Sequence, residues 1–73
     1  MMQELHDGTG KYIGYIEEYD CGNELRAFDQ TGYFVGYYDC KYGFAYDRGG
    51  LLRGDNTAIL GQLIAESNEQ YDF

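Results

Sequence analysis

The sequence predicts an all-β fold, a small repeat protein of short antiparallel hairpins with pseudo-symmetry and about six to eight strands. Three observations lead there. A ten-residue unit recurs along the chain without a gap. Each copy opens with the residues of a tight hairpin turn. The composition suits turns and strands, with 11 Gly, nine Tyr, four Phe, no Pro and no Trp in 73 residues. Glycine at that density is too frequent for a helical protein.

The repeat comes first because internal periodicity fixes the architecture. Asp7-Gly8-Thr9-Gly10-Lys11-Tyr12-Ile13-Gly14-Tyr15-Ile16 aligns with Asp29-Gln30-Thr31-Gly32-Tyr33-Phe34-Val35-Gly36-Tyr37-Tyr38. The shared form is Asp-x-Thr-Gly-x-aromatic-β-branched-Gly-Tyr-large. A third copy, Asp47-Arg48-Gly49-Gly50-Leu51-Leu52-Arg53-Gly54, keeps the spacing of Asp and both glycines. A fourth, Asp55-Asn56-Thr57-Ala58-Ile59-Leu60-Gly61, keeps Asp-x-Thr and the last Gly but is one residue short.

In such a unit the Asp accepts hydrogen bonds from backbone N–H groups ahead of it, and the fourth-position Gly takes a left-handed conformation. That is a three-residue hairpin loop, a type I turn closed by a bulge glycine. Turns are therefore expected at 7–10, 29–32 and 47–50. The strands before them are 4–6, 25–28 and 44–46. The strands after the four copies are 12–16, 34–38, 51–53 and 59–64. Ile59, Leu60, Leu63 and Ile64 also fit one face of a short helix begun at Asn56. Gly61 and its match to the other copies favour a strand.

The second glycine of each unit (Gly14, Gly36, Gly54, Gly61) falls inside a strand. There it marks a bend or a close approach by another segment, and one per copy suggests strands crossing near a shared axis. Simple alternation puts Tyr12 and Ile16 on one face and Ile13 and Tyr15 on the other. Both faces are then apolar, so these strands are buried on both sides or form a contact surface. Tyr19-Asp20-Cys21-Gly22 and Tyr38-Asp39-Cys40 with Gly43 close a second set of turns. The two cysteines thus hold related positions, as duplication would leave them, and a redox or metal role is not indicated. His6 is the sole histidine, too few ligands for a metal site, and no cofactor is expected.

The run from Gly32 through Tyr37-Tyr38-Asp39-Cys40-Lys41-Tyr42-Gly43-Phe44-Ala45-Tyr46-Asp47 to Gly50 resembles the repeat of the four-fold β-flower domains. These are small bacterial β-repeat proteins with hairpins around a pseudo-four-fold axis. The resemblance covers roughly residues 5–64, and the third and fourth copies depart from its pattern. It implies a fold, with no catalytic residues to carry over. A weaker resemblance, through Tyr12-x-Gly14-x-Ile16 and Phe34-x-Gly36-x-Tyr38, is to MORN-type hairpin repeats, whose later Gly-x-Gly is missing.

Length allows one domain, placed at residues 1–65, with an acidic C-terminal tail at 66–73. A domain this small buries only about 60% of the surface its unfolded chain exposes, and the tyrosines supply large apolar area at low entropy cost. Thirteen carboxylates against five cations give a net charge of −8. Direct nucleic-acid binding needs the opposite sign, and so does an anionic membrane. A basic protein partner is compatible. Met1-Met2-Gln3-Glu4 has no signal-peptide character, and the longest apolar stretch, 58–65, is too short to span a bilayer. A cytoplasmic location and reduced thiols are expected.

Catalytic chemistry is not indicated. Each turn Asp has a backbone role, Glu17 and Glu18 adjoin and so face apart on a strand, and Ser67 stands in a polar tail far in sequence from His6 and Asp7. Glycine turns that follow acids repel phosphate. Arg53-Gly54-Asp55 is explained by the repeat. No enzyme is expected, and function rests on surface. Tyrosine binds partners with little entropy loss. The expected partner-binding face is Glu17, Glu18, Tyr19 and Asp20, extended by Tyr38 and Asp39 at equivalent points of the next copy. The tail, ending Tyr71-Asp72-Phe73, is its rival. Three classes compete. One is an acidic protein-interaction module, of the phage or mobile-element inhibitor type, that binds a basic, nucleic-acid-binding surface of a host protein. The second is a small-ligand or carbohydrate binder using Tyr stacking, and the third a structural or assembly domain. Strands apolar on both faces also suggest a homodimer.

Overall fold

The computed structural model describes residues 2–69. Six strands follow in order: β1 (Met2–His6), β2 (Tyr12–Tyr19), β3 (Glu24–Asp29), β4 (Phe34–Asp39), β5 (Phe44–Asp47) and β6 (Leu52–Gly54). Helix α1 (Ala58–Asn68) completes the chain's regular structure, apart from a short 3-10 turn at Asp20–Gly22. Each strand pairs antiparallel with the next, so sheet order equals chain order. The protein is mostly antiparallel sheet with one helix laid over it, and not wholly β.

The turns at 7–10, 29–32 and 47–50 share one construction. The glycine N–H donates to the Asp carbonyl at 3.0 Å in the first and 2.9 Å in the other two. Gly10, Gly32 and Gly50 have φ of 88°, 86° and 84°, a region that glycine enters without steric cost. Asp29 Oδ1 accepts from the Thr31 N–H at 2.9 Å, the Thr31 hydroxyl at 2.6 Å and the Tyr33 N–H at 3.1 Å. Asp7 does the same with Thr9 and Lys11, and Asp47 with the N–H groups of Gly49 and Leu51. The Thr of the unit is therefore a second donor to the turn carboxylate.

Strand alternation is reset once after each of these turns. Leu5 pairs with Gly14 but His6 with Tyr12, which leaves Ile13 as an extra residue. Ala27 pairs with Gly36 but Phe28 with Phe34, leaving Val35. Ala45 pairs with Gly54 but Tyr46 with Leu52, leaving Arg53. Each is a β-bulge, in which two residues of one strand oppose one of its partner. The bulge residue and the glycine after it both turn toward α1. Val35 is in the core and Ile13 packs against it, while Arg53 Nη2 donates to Glu66 of the helix at 2.7 and 3.0 Å. Simple alternation therefore misassigns Tyr12 and Ile13. Tyr12 lies with Tyr15 on the far face, and Ile13 lies with Ile16 on the helix face.

The segment 59–64 is helix, not strand. The Asn56 side chain accepts from the Ala58 N–H at 2.9 Å and so satisfies a first-turn donor. Leu60, Leu63 and Ile64 are fully or nearly fully buried against Ala27 and Val35. A strand would send Leu63 and Ile64 to opposite sides, whereas a helix lets both meet the sheet. α1 lies chiefly over β3 and β4, the middle of the sheet.

The strand glycines do mark a close approach, by the backbone of the next strand (the Phe28 carbonyl at Gly14, the Tyr46 carbonyl at Gly36) together with the helix, not by strands crossing at an axis. A Cβ on Gly36 would sit 2.6 Å from Leu63 Cδ1, and one on Gly54 would sit 2.6 Å from Ile59 Cγ1. Gly61 is not of this kind, since a Cβ there would meet nothing within 4 Å.

The expected domain boundary at 65 also moves. Ser67 Oγ donates to Asp29 Oδ2 at 2.7 Å. Asn68 Nδ2 donates to the Ile13 carbonyl at 2.8 Å, and Asn68 Oδ1 accepts from the Gln30 N–H at 3.2 Å. Residues 66–68 are thus the last turn of α1, fastened to the first two hairpins. The remainder of the expected tail, with Tyr71, Asp72 and Phe73, lies outside the described residues.

Candidate functional site

Helix α1 covers one face of the sheet. Among the described residues no element covers the other, and the bulges decide what that far face carries. From β1 to β6 it presents Met2, Glu4 and His6, then Tyr12, Tyr15, Glu17 and Tyr19, then Glu24, Arg26 and Phe28, then Phe34, Tyr37 and Asp39, then Phe44 and Tyr46, then Leu52. Direct cross-strand pairing sorts these into rows. One row is Met2, Glu17, Arg26, Tyr37, Tyr46 and Leu52; the next is Glu4, Tyr15, Phe28 and Phe34. A third, at the sheet end, joins Tyr19, Glu24, Asp39 and Phe44.

Neighbouring rings in these rows touch. Tyr15 stacks on Phe28 with centroids 4.7 Å apart and planes 16° from parallel. Phe28 meets Phe34 edge-on at 5.8 Å. Tyr37 stacks on Tyr46 at 5.1 Å and 24°, and His6 meets Tyr12 edge-on at 5.9 Å. Such pairs contribute about 0.5–1.5 kcal/mol each beyond area burial, so the rings hold one another flat in half-buried rows. Phe44 is 40% exposed and Leu52 59% exposed on the same face.

Charge on this face is one-sided. Glu4, Glu17, Glu24 and Asp39 stand against one guanidinium, Arg26. Arg26 Cζ lies 4.1 Å from the Tyr19 ring centroid, and its Nε bonds the Glu24 carboxylate. The Tyr19 hydroxyl donates to Glu17 Oε2 at 2.8 Å. That bond to Glu17 pushes the Tyr19 phenol above its ordinary pKa, and the Glu24 bond does the same for Arg26. A guanidinium is therefore already held between a ring and a carboxylate here.

The structure divides the expected site residues. Glu17, Tyr19 and Asp39 are on the far face, and Asp20 is in the turn beyond β2 with φ of 53°. Glu18 is on the opposite side, lining a cleft of about 370 Å³ with Leu5, Ile16, Leu25 and Gly61. Tyr38 is also on that side, packed against the core. The expectation that equivalent points of two copies meet at one end holds for Tyr19 and Asp39, which both neighbour Glu24. Glu18 and Tyr38 meet at the same end, both beside Leu25, but on the helix face, because strand neighbours point to opposite faces. Sequence reasoning missed Arg26, Phe28 and Phe34. Taking Val35 as a bulge would have found Phe34, and the pairing of β3 with β4 would then have placed Phe28 and Arg26 beside Phe34 and Tyr37.

His6 and Ser67 do not come together. His6 sits against Tyr12 on the far face, while Ser67 is bonded to Asp29 beneath the helix. Cys21 and Cys40 are exposed in the two other turns, each a free thiol. No helix among the described residues is long and apolar enough to cross a membrane. Comparison with protein-family models gives no match, and comparisons with curated proteins and with solved structures give none either.

Proposed function

We propose that the protein is a small acidic protein-interaction module whose contact surface is the far face of the sheet, and that its partner presents a basic, nucleic-acid-binding surface. One observation carries this reading: contiguous rows of tyrosine and phenylalanine rings, uncovered by any described element and set among four carboxylates with one arginine. Monomeric proteins rarely leave contiguous apolar patches of this kind without use, and aromatic residues are the enriched anchors of protein interfaces. The carboxylates add electrostatic steering toward a cationic partner. An inhibitor of the phage or mobile-element type, acting in the cytoplasm, fits this charge. The scaffold reads as degenerate copies of one turn-and-strand unit in the manner of β-flower repeats, a reading supported by the shared Asp and Gly turn geometry.

The test is binding of a basic protein or peptide at graded salt. Affinity falling steeply between low and physiological salt supports the reading, since exposed charge pairs are screened over about 10 Å at 0.1 M. A salt-independent interaction with neutral sugars, and none with basic ligands, would instead favour ring stacking on a carbohydrate. Two variants locate the contact. Glu17→Lys with Asp39→Lys reverses charge on the far face, and deletion of residues 70–73 removes the rival segment while leaving Ser67 and Asn68 in place. Loss of binding in the deletion alone would remove the far face from the account.

A further inference from the structure

We infer that the far face selects arginine over lysine in its partner, reading guanidinium groups between tyrosine rings and carboxylates; this rests on the basic-partner reading above. Three of the chain's five cations already lie over tyrosine rings. Arg26 Cζ is 4.1 Å from the Tyr19 centroid and Arg48 Cζ is 4.7 Å from that of Tyr33. Lys41 Nζ is farther from Tyr42, at 5.4 Å. The arginine on the far face is the most fully held. Its guanidinium has the Tyr19 ring on one side and the Glu24 carboxylate bonded at Nε.

The physical reason is the shape and hydration of the two cations. Guanidinium is planar and weakly hydrated, so it can lie flat on a ring while its edge hydrogen-bonds a carboxylate. Ammonium is a compact, strongly hydrated charge that gains less from an exposed ring face. The far face repeats the necessary pair away from Arg26. The Tyr37–Tyr46 stack has Asp39 two residues from Tyr37 on the same face, its Oδ1 accepting from the Lys41 and Tyr42 N–H groups of the next turn and its Oδ2 left for a guanidinium, and the Tyr15–Phe28 stack has Glu4 directly across from Tyr15. Successive rows are two residues apart along β3 and β5, about 7 Å, and the bulge lets Phe34 and Tyr37 of β4 span the same step with three. That is also the spacing of same-side side chains in an extended chain, so an extended partner segment with arginine at alternate positions would reach ring after ring.

The test compares nona-arginine with nona-lysine on the native chain by calorimetry at one fixed ionic strength. The two peptides carry equal charge, so general electrostatics cancels. Two ring contacts of exposed cation–π strength, made fully by guanidinium and only in part by ammonium, predict a preference for nona-arginine of several-fold, up to about tenfold. Equal affinity overturns the inference and leaves the basic-partner reading standing. No binding by either peptide overturns both. In Tyr37→Leu with Tyr46→Leu the preference should shrink severalfold while nona-lysine binds as before. An undiminished preference in that variant would remove the Tyr37–Tyr46 stack from the site. The native-chain comparison decides the inference whether or not the double variant folds.

Discussion

Replacing Gly36 with alanine puts a methyl group into space already filled from two directions. The new Cβ would lie 2.5 Å from the Tyr46 carbonyl oxygen and 2.6 Å from Leu63 Cδ1, with Asp47 Cα at 3.2 Å. Leu63 has no room to rotate away, being 4% exposed and packed among Leu60, Ile64 and Val35. The Tyr46 carbonyl belongs to the adjacent strand and moves only with it. Overpacking of this kind costs about 1–3 kcal/mol, and two blocked directions place Gly36→Ala in the upper half of that range. For a domain of this size the melting temperature should fall by roughly 10–20 °C. Gly61→Ala is the paired control, because the sequence gives both glycines the same place in the unit. Gly61 is in α1 and its Cβ would enter open space. The exchange should stabilise the helix by about 0.5–1 kcal/mol. Thermal unfolding followed by circular dichroism reads both. A Gly36→Ala variant that melts with the parent would refute the helix-on-glycine packing. A destabilised Gly61→Ala variant would mean that 59–64 is not helical.

Four further outcomes follow from the same geometry. Gly32→Val should cost more than about 1 kcal/mol in chemical denaturation, because φ of 86° is strained for a β-branched residue even where space is open; an unchanged midpoint would refute the turn assignment. Asp29 is fully buried, and although burial raises its pKa, bonds from Thr31, Ser67 and Tyr33 outweigh it and leave the carboxyl below its ordinary value. Its stabilisation is thus present above the unfolded carboxyl pKa and lost as pH falls through the lower folded one, and Ser67→Ala should cost about 1–2 kcal/mol and move acid unfolding to higher pH, a shift that a pH-titrated melt would show. Arg53→Ala breaks an exposed pair with Glu66 and should cost under about 1 kcal/mol, less as salt rises; a large, salt-independent loss would mean Arg53 packs and does not merely pair. Any homodimer built face to face would oppose four carboxylates per copy, so sedimentation should show association rising with salt, the reverse of the basic-partner complex, and a monomer at every salt concentration would exclude that dimer.

What the sequence disclosed was its local chemistry. The Asp and Gly of each turn are read within four residues, and their geometry at 7–10, 29–32 and 47–50 needs nothing from the rest of the chain. The strands beside them followed. The helix did not, because Ile59, Leu60, Leu63 and Ile64 fit either period over so short a run, and the choice between them depends on what must be covered. The covered surface is a sheet face of Gly14, Ala27, Gly36 and Ala45, small residues that leave room for a helix and whose alignment exists only after the strands pair. The bulges were the other hidden element. Ile13 and Val35 look like ordinary alternating residues, and only the register shows them as extra. That shift moved Tyr12 and Phe34 to the far face beside Tyr15, Phe28 and Tyr37, while ordinary alternation separated Glu18 and Tyr38 from Glu17, Tyr19 and Asp39, and the resulting face is one that no short window of sequence contains.

The most direct test of the central claim is amide and aromatic chemical-shift mapping by NMR as a basic peptide is titrated into the labelled protein. The account predicts shifts that follow the far-face rows, strongest at Tyr15, Arg26, Phe28, Tyr37 and Tyr46, with Leu60, Leu63 and Ile64 of the helix unmoved. Shifts confined to the helix, to the Glu18 cleft or to residues 70–73, with the aromatic rows silent, would contradict it.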